Sequence, residues 1–108
     1  MAILHAKKEN FEEILENHPL ILLNFWAEWC APCRAFIETL VTLDENEPVQ
    51  VVKINTQREE ELMKRFEVQG LPYSILLKNG EKIGEIKGKC SYEVLKQKID
   101  TILAEERE

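Results

Sequence analysis

Nowhere in these 108 residues do about 18 apolar side chains follow one another, so no segment is long enough to span a bilayer as a helix. The opening stretch, Met1-Ala-Ile-Leu-His-Ala-Lys-Lys8, lacks the apolar centre and small-residue cleavage site of a signal peptide, and the chain reads as cytoplasmic. Positive charge is short. Fourteen Lys and Arg face 20 Asp and Glu, a net charge of −6, which argues against nucleic acid or an anionic membrane as main partner. Cysteine is scarce: three residues are too few, and odd in number, for a disulfide-stapled secreted domain. The two histidines, His5 and His18, have no metal-ligand spacing. Structural zinc needs four ligands and one CxxC supplies two, so no metal site is expected. No repeat, low-complexity block or linker divides the chain. Its 44% hydrophobic content suits a single domain, 1–108, around one core.

Asn10-x-x-Glu13 has the form of a capping box and predicts a short helix from Phe11 to Asn17, ended by His18-Pro19. Leu20 to Trp26 is a nearly continuous apolar run, as in a strand buried on both faces. A helix is predicted from near Cys30 to about Glu45, with Phe36, Leu40 and Leu43 at helical spacing. Val49–Asn55 reads as a strand and Arg58–Val68 as a helix, whose charged start is a solvated N-terminus. Tyr73–Lys78 and Lys82–Lys87 are strands joined at Asn79-Gly80, a strong hairpin signal. Ser91 is the expected N-cap of a last helix striped with Val94, Leu95, Ile99 and Ile102, and the tail from Ala104 to Glu108 is expected to fray. Parallel units followed by a hairpin make a small mixed sheet covered on both sides.

Within this plan Cys30-Ala31-Pro32-Cys33 is the most informative stretch. Two thiols three residues apart can close a disulfide ring, open it again, or hold a metal. An apolar strand that delivers the first cysteine onto a helix start favours redox chemistry.

Trp26-Ala-Glu-Trp29-Cys30-Ala-Pro-Cys33-Arg34 resembles the active-site segment of the thioredoxin family. Gly70-Leu71-Pro72 resembles that family's cis-proline segment, and Lys78-Asn79-Gly80-Glu81 with Gly88 resembles its terminal hairpin and turn. The resemblance runs through nearly the whole chain. It implies an α/β thioredoxin fold, with a central mixed sheet of four to five strands flanked by helices on both faces. It also implies dithiol–disulfide exchange by a redox-active Cys30–Cys33 pair, with no bound cofactor. Cys30, at a helix N-terminus, faces unpaired N–H groups and the positive end of the helix dipole, both of which favour a thiolate. Cys33 lies one turn later with its N–H able to reach the Cys30 sulfur. Cys30 is therefore the nucleophile and Cys33 the resolving thiol. Pro32 suits the first turn and stiffens the ring; Ala31 replaces the family's usual glycine. By the resemblance Leu71-Pro72 is cis and turns the Leu71 N–H and C=O outward beside Cys30. An extended substrate could pair there like an added strand, against a rim of Trp29, Ala31, Leu71 and Gly88. Trp26 is packing support beneath the site.

Four positions depart from the family pattern or stand outside it. Asn24 stands where thioredoxins carry a buried Asp that helps move the resolving thiol's proton; an amide cannot ionise, and a lower Cys30 pKa with a more oxidising couple is expected. Its dull role is a hydrogen bond to core backbone. Lys53, which matches the family's lysine near that Asp, loses its partner and either aids the thiolate or reaches solvent. Glu38 replaces a kinking proline, so the helix after Cys30 should be straighter. Cys90 packs against Leu95 as a small hydrophobe.

The expected activity is that of a monomeric protein-disulfide reductase acting on disulfide-containing proteins, with a thioredoxin reductase as donor by resemblance. The alternatives are a disulfide oxidase or isomerase, a reductase dedicated to one partner, or a non-catalytic adaptor of the same fold, against which both cysteines argue.

Overall fold

The computed structural model describes residues 2–106. In chain order the elements are β1 (Leu4–His5), α1 (Phe11–Asn17), β2 (Leu20–Trp26), α2 (Ala31–Ala35), α3 (Ile37–Asn46), β3 (Gln50–Asn55), α4 (Glu60–Arg65), β4 (Tyr73–Lys78), β5 (Glu81–Lys87) and α5 (Tyr92–Glu106). They build a five-stranded mixed sheet in the order β1-β3-β2-β4-β5. The β1–β3 and β3–β2 pairs are parallel; β4 runs antiparallel to β2 and β5.

The apolar run at 20–26 becomes the middle strand because it can bury both faces. Ile21, Leu23 and Phe25 point to one side, where Phe11 and Ile14 of α1 and Leu62 of α4 cover them. Leu22 points to the other, against Phe36, Leu40 and Leu43 and against Leu95 and Ile99 of α5. Each such side chain contributes about 1.5–3 kcal/mol on burial. The expected fold class is thus what is found, with helices on both faces. Asn79 (φ 51) and Gly80 (φ 83) both take left-handed geometry in the β4–β5 turn, as an Asn-Gly hairpin requires. At Gly84 an added Cβ would lie 2.6 Å from Ile102, so the missing side chain lets α5 close onto β5.

Four expectations need correction, and one element is new. The N-terminal strand β1 is absent from the sequence reading, because two residues carry no periodicity. The capping box does not form: the Asn10 side chain accepts from the Lys7 N–H (2.7 Å) and donates to the His5 carbonyl (3.3 Å), tying the approach to α1 rather than its first turn. The unbroken helix after Cys30 is divided at Phe36, whose N–H is shared between the Pro32 (3.1 Å) and Cys33 (3.2 Å) carbonyls. Such sharing tightens a terminal turn and seats the fully buried Phe36 ring in the core. The helix expected from Arg58 to Val68 shrinks to α4, because Glu67 adopts a positive φ of 53 and stops it. Finally, the tail is helical through Glu106; Met1, Arg107 and Glu108 lie outside the described residues. Ser91 does cap α5, accepting the Val94 N–H at 3.2 Å.

Candidate active site

The end of β2 is clamped before the cysteines begin. The Trp26 carbonyl accepts both the Thr56 N–H (2.9 Å) and the Thr56 hydroxyl (3.0 Å). The Glu28 N–H donates to Gln57 Oε1 (2.7 Å), and the Glu28 carbonyl accepts from Arg34 Nη1 (2.6 Å). This fixes the loop that hands Cys30 to α2. Cys30 is the extended N-cap residue, with Pro32 in the first turn behind it.

Cys30 and Cys33 are joined as a disulfide, their Cα atoms 5.3 Å apart. The Cys33 N–H donates to Cys30 Sγ at 3.2 Å. When the bond is opened, that donor and the field of the helix start fall on the Cys30 sulfur. Sulfur is stabilised as S⁻ at the N-cap and not one turn further in. Both cysteines are nearly covered, and they pack with Ala27, Trp26 and Leu71. Trp29 stands out beside them, 69% exposed, with Ala31 and Pro32 also exposed.

The Leu71-Pro72 bond is cis. The Pro72 carbonyl accepts the Gly88 N–H at 2.9 Å, and Gly88 has the left-handed φ of 77 that favours glycine. The proline loop and the Gly88 turn are thereby locked together next to the disulfide. Among the described residues, the Leu71 backbone N–H and C=O carry no hydrogen bond. A donor and an acceptor thus stand unpaired at the partly covered edge of the site.

Asn24 and Lys53 are placed differently from expectation. Asn24 is buried, but its amide donates to the Ser74 hydroxyl (3.1 Å), not to core backbone. Ser74 faces it across the β2–β4 pair. Lys53 faces Asn24 from β3 and does not reach solvent. It is buried with Nζ 5.0 Å over the Trp26 ring, and no carboxylate pairs with it among the described residues. Burial pushes its pKa below the ordinary lysine value of 10.5. The folded state therefore disfavours the ammonium that the unfolded chain holds freely. This penalty is complete below the folded pKa and is lost as pH rises from there towards 10.5. Lys53→Met should accordingly stabilise the protein near neutral pH by about 1 kcal/mol. Urea unfolding at neutral and alkaline pH checks it: the gain must shrink at alkaline pH, and a loss at neutral pH would contradict the account.

Cys90 is half-buried against the cluster that holds Leu95, and burial pushes its thiol pKa up. The sequence reading missed Ser74, Thr56 and Gln57. Ser74 had a signal: one polar residue inside each of two apolar strands, Asn24 and Ser74, invites a cross-strand pair. Thr56 and Gln57 had none, because their role is fixed by where β3 ends.

The thioredoxin family model matches residues 2–101. Rice thioredoxin Y, a chloroplastic protein, is 32% identical over 106 residues, 93% of this chain. The chain spans 63% of that relative and 62% of thioredoxin Y1 from Arabidopsis thaliana. A Rickettsia bellii thioredoxin is 34% identical over 73 residues, 66% of this chain and 70% of its own. Among solved structures, a mutant thioredoxin from Halobacterium salinarum superposes with a TM-score of 0.85 at 25% identity, covering 94% of this chain and 95% of its own.

Proposed function

The chain belongs to the thioredoxin family, and on that premise we propose that it reduces protein disulfides through Cys30 and Cys33. In the reduced form the Cys30 thiolate attacks one sulfur of a substrate disulfide. That S–S bond breaks, a mixed disulfide forms at Cys30, and the substrate's other sulfur leaves as thiolate. Cys33 then loses its proton and attacks Cys30 Sγ. The second substrate sulfur departs, Cys30–Cys33 closes, and two electrons have passed to the substrate, whose thiolates take up two protons. Asn24 cannot accept the Cys33 proton, so the departing thiolate or water does.

The observation that carries this reading is the Cys33 N–H on Cys30 Sγ at a helix start. Support for a polypeptide substrate comes from the unpaired Leu71 backbone groups, which offer one rung of an added strand. Trp29, Ala31 and Gly88 form the rim. Electrons to reopen the disulfide would come from a thioredoxin reductase, and the proposed setting is the reducing cytoplasm, where a paired thiol serves as reagent rather than staple. The test mixes the reduced protein with an oxidised peptide and counts thiols. Substrate thiols should appear in step with closure of Cys30–Cys33. Absence of thiol release would overturn the assignment.

A further inference from the structure

Beside the cis-proline lies a cleft of about 550 Å³, walled on one side by Phe66, Glu67 and Leu71 and on the other by Tyr73, Lys82, Glu85 and Lys87. Pro72 and Gly88 also line it, so it adjoins the place where the proposed substrate strand would pair with Leu71. Tyr73, Ile75 and Leu77 of β4 sit opposite Lys87, Glu85 and Lys82 of β5. The β4 residues belong to the core under α1 and α4, but their three partners on β5 remain exposed. The cleft is the uncovered end of that sheet face.

Its donors outnumber its acceptors on the β5 wall. The Tyr73 hydroxyl donates to Glu85 Oε1 at 2.5 Å. Lys82 Nζ donates to the Tyr73 oxygen (3.1 Å) and to the same Oε1 (3.2 Å). Lys87 Nζ lies 3.6 Å from Oε2 and is 79% exposed. Each ammonium has three N–H donors, so one carboxylate is shared by two cations and a phenol, and the lysines keep donors to spare. The Tyr73 and Lys82 hydrogen bonds hold the Glu85 carboxyl below the usual carboxylate range, and the Tyr73 hydrogen bond raises Lys82, so the surplus positive charge persists at neutral pH. The lining as a whole balances Lys82 and Lys87 against Glu85 and Glu67, so the excess of positive charge belongs to the β5 wall alone.

We propose that this cleft is a specificity subsite, in which Lys82 and Lys87 take the carboxylate of an Asp or Glu lying within a few residues of the substrate's disulfide cysteine. The proposal rests on the disulfide-reductase reading above. Glu67, on the facing wall, opposes the incoming acid and sets the limit of the preference.

The test uses two peptide disulfides that differ only in Glu or Gln on both sides of the cysteine. The reduced full chain should favour the Glu peptide by about threefold in kcat/KM at low salt, the size expected of exposed charge contacts. The ratio should approach one in Lys82→Gln/Lys87→Gln, confirmed folded by its melting curve, and rise in Glu67→Gln. A ratio of one in the unaltered protein, or one unchanged in the double variant, overturns the subsite. Failure to reduce either peptide would instead sink the reductase reading.

Discussion

Cys30→Ser should lower the rate of disulfide reduction by at least about a thousandfold, because it removes the sulfur placed at the helix start. A hydroxyl there receives the same Cys33 N–H, but it has no accessible anion near neutral pH. Cys33→Ser should also stop turnover, though at a different point. Its Cys30 still attacks, the mixed disulfide forms, and nothing within reach resolves it. Mass spectrometry of each variant after exposure to an oxidised peptide separates the two. Cys33→Ser should carry one peptide per chain on Cys30, and Cys30→Ser none. If Cys30→Ser were the variant that trapped peptide, the two roles would be reversed.

Phe25→Ala should be the most damaging single change to the fold. Phe25 has 0% exposure, lies one residue from Trp26, and holds two rings that line the cleft: Phe66 at 5.8 Å and Tyr73 at 6.2 Å between centroids. Deleting a buried phenyl group costs about 3–5 kcal/mol, part of it the cavity left behind. For a domain of this size that corresponds to a fall in Tm on the order of 15–30 °C. The effect reaches the site, since Phe66 and Tyr73 lose the ring that spaces them. Thermal unfolding of the oxidised protein followed by circular dichroism measures it. A fall below about 5 °C would show that the neighbouring rings close the gap and that Phe25 does not set their spacing.

How much of this was legible in the sequence depended on where the determining forces act. The strand at 20–26 could be read because both its faces are buried and the apolar run says so directly. The Asn79-Gly80 turn could be read because few other residues adopt two successive left-handed conformations. Cys30 at a helix start followed from the chain alone, whereas the cis bond at Pro72 came through the family resemblance, since an X-Pro pair does not declare its isomer. The interruption at Phe36 was not legible. No proline or glycine marks it, and it arises from a shared hydrogen bond together with the demand to bury that ring. Asn10 shows the same limit: its side chain can serve the helix or the loop before it, and the loop prevails. Nothing in the local pattern of the strand at 82–87 singles out the cleft lysines. Only the register of β4 on β5 brings Lys82, Glu85 and Lys87 against Tyr73. Lys53 was anticipated as partnerless, but its lodging over Trp26 depends on three strands meeting in register.

The central claim is that the fold makes one of three thiols the attacking anion. Brief treatment of the reduced protein with limiting iodoacetamide at mildly acidic pH, followed by peptide mapping, tests it most directly. The account predicts alkylation at Cys30, with Cys33 lacking the N-cap position and Cys90 held as a thiol by burial. Equal or preferential labelling of Cys33 would contradict it.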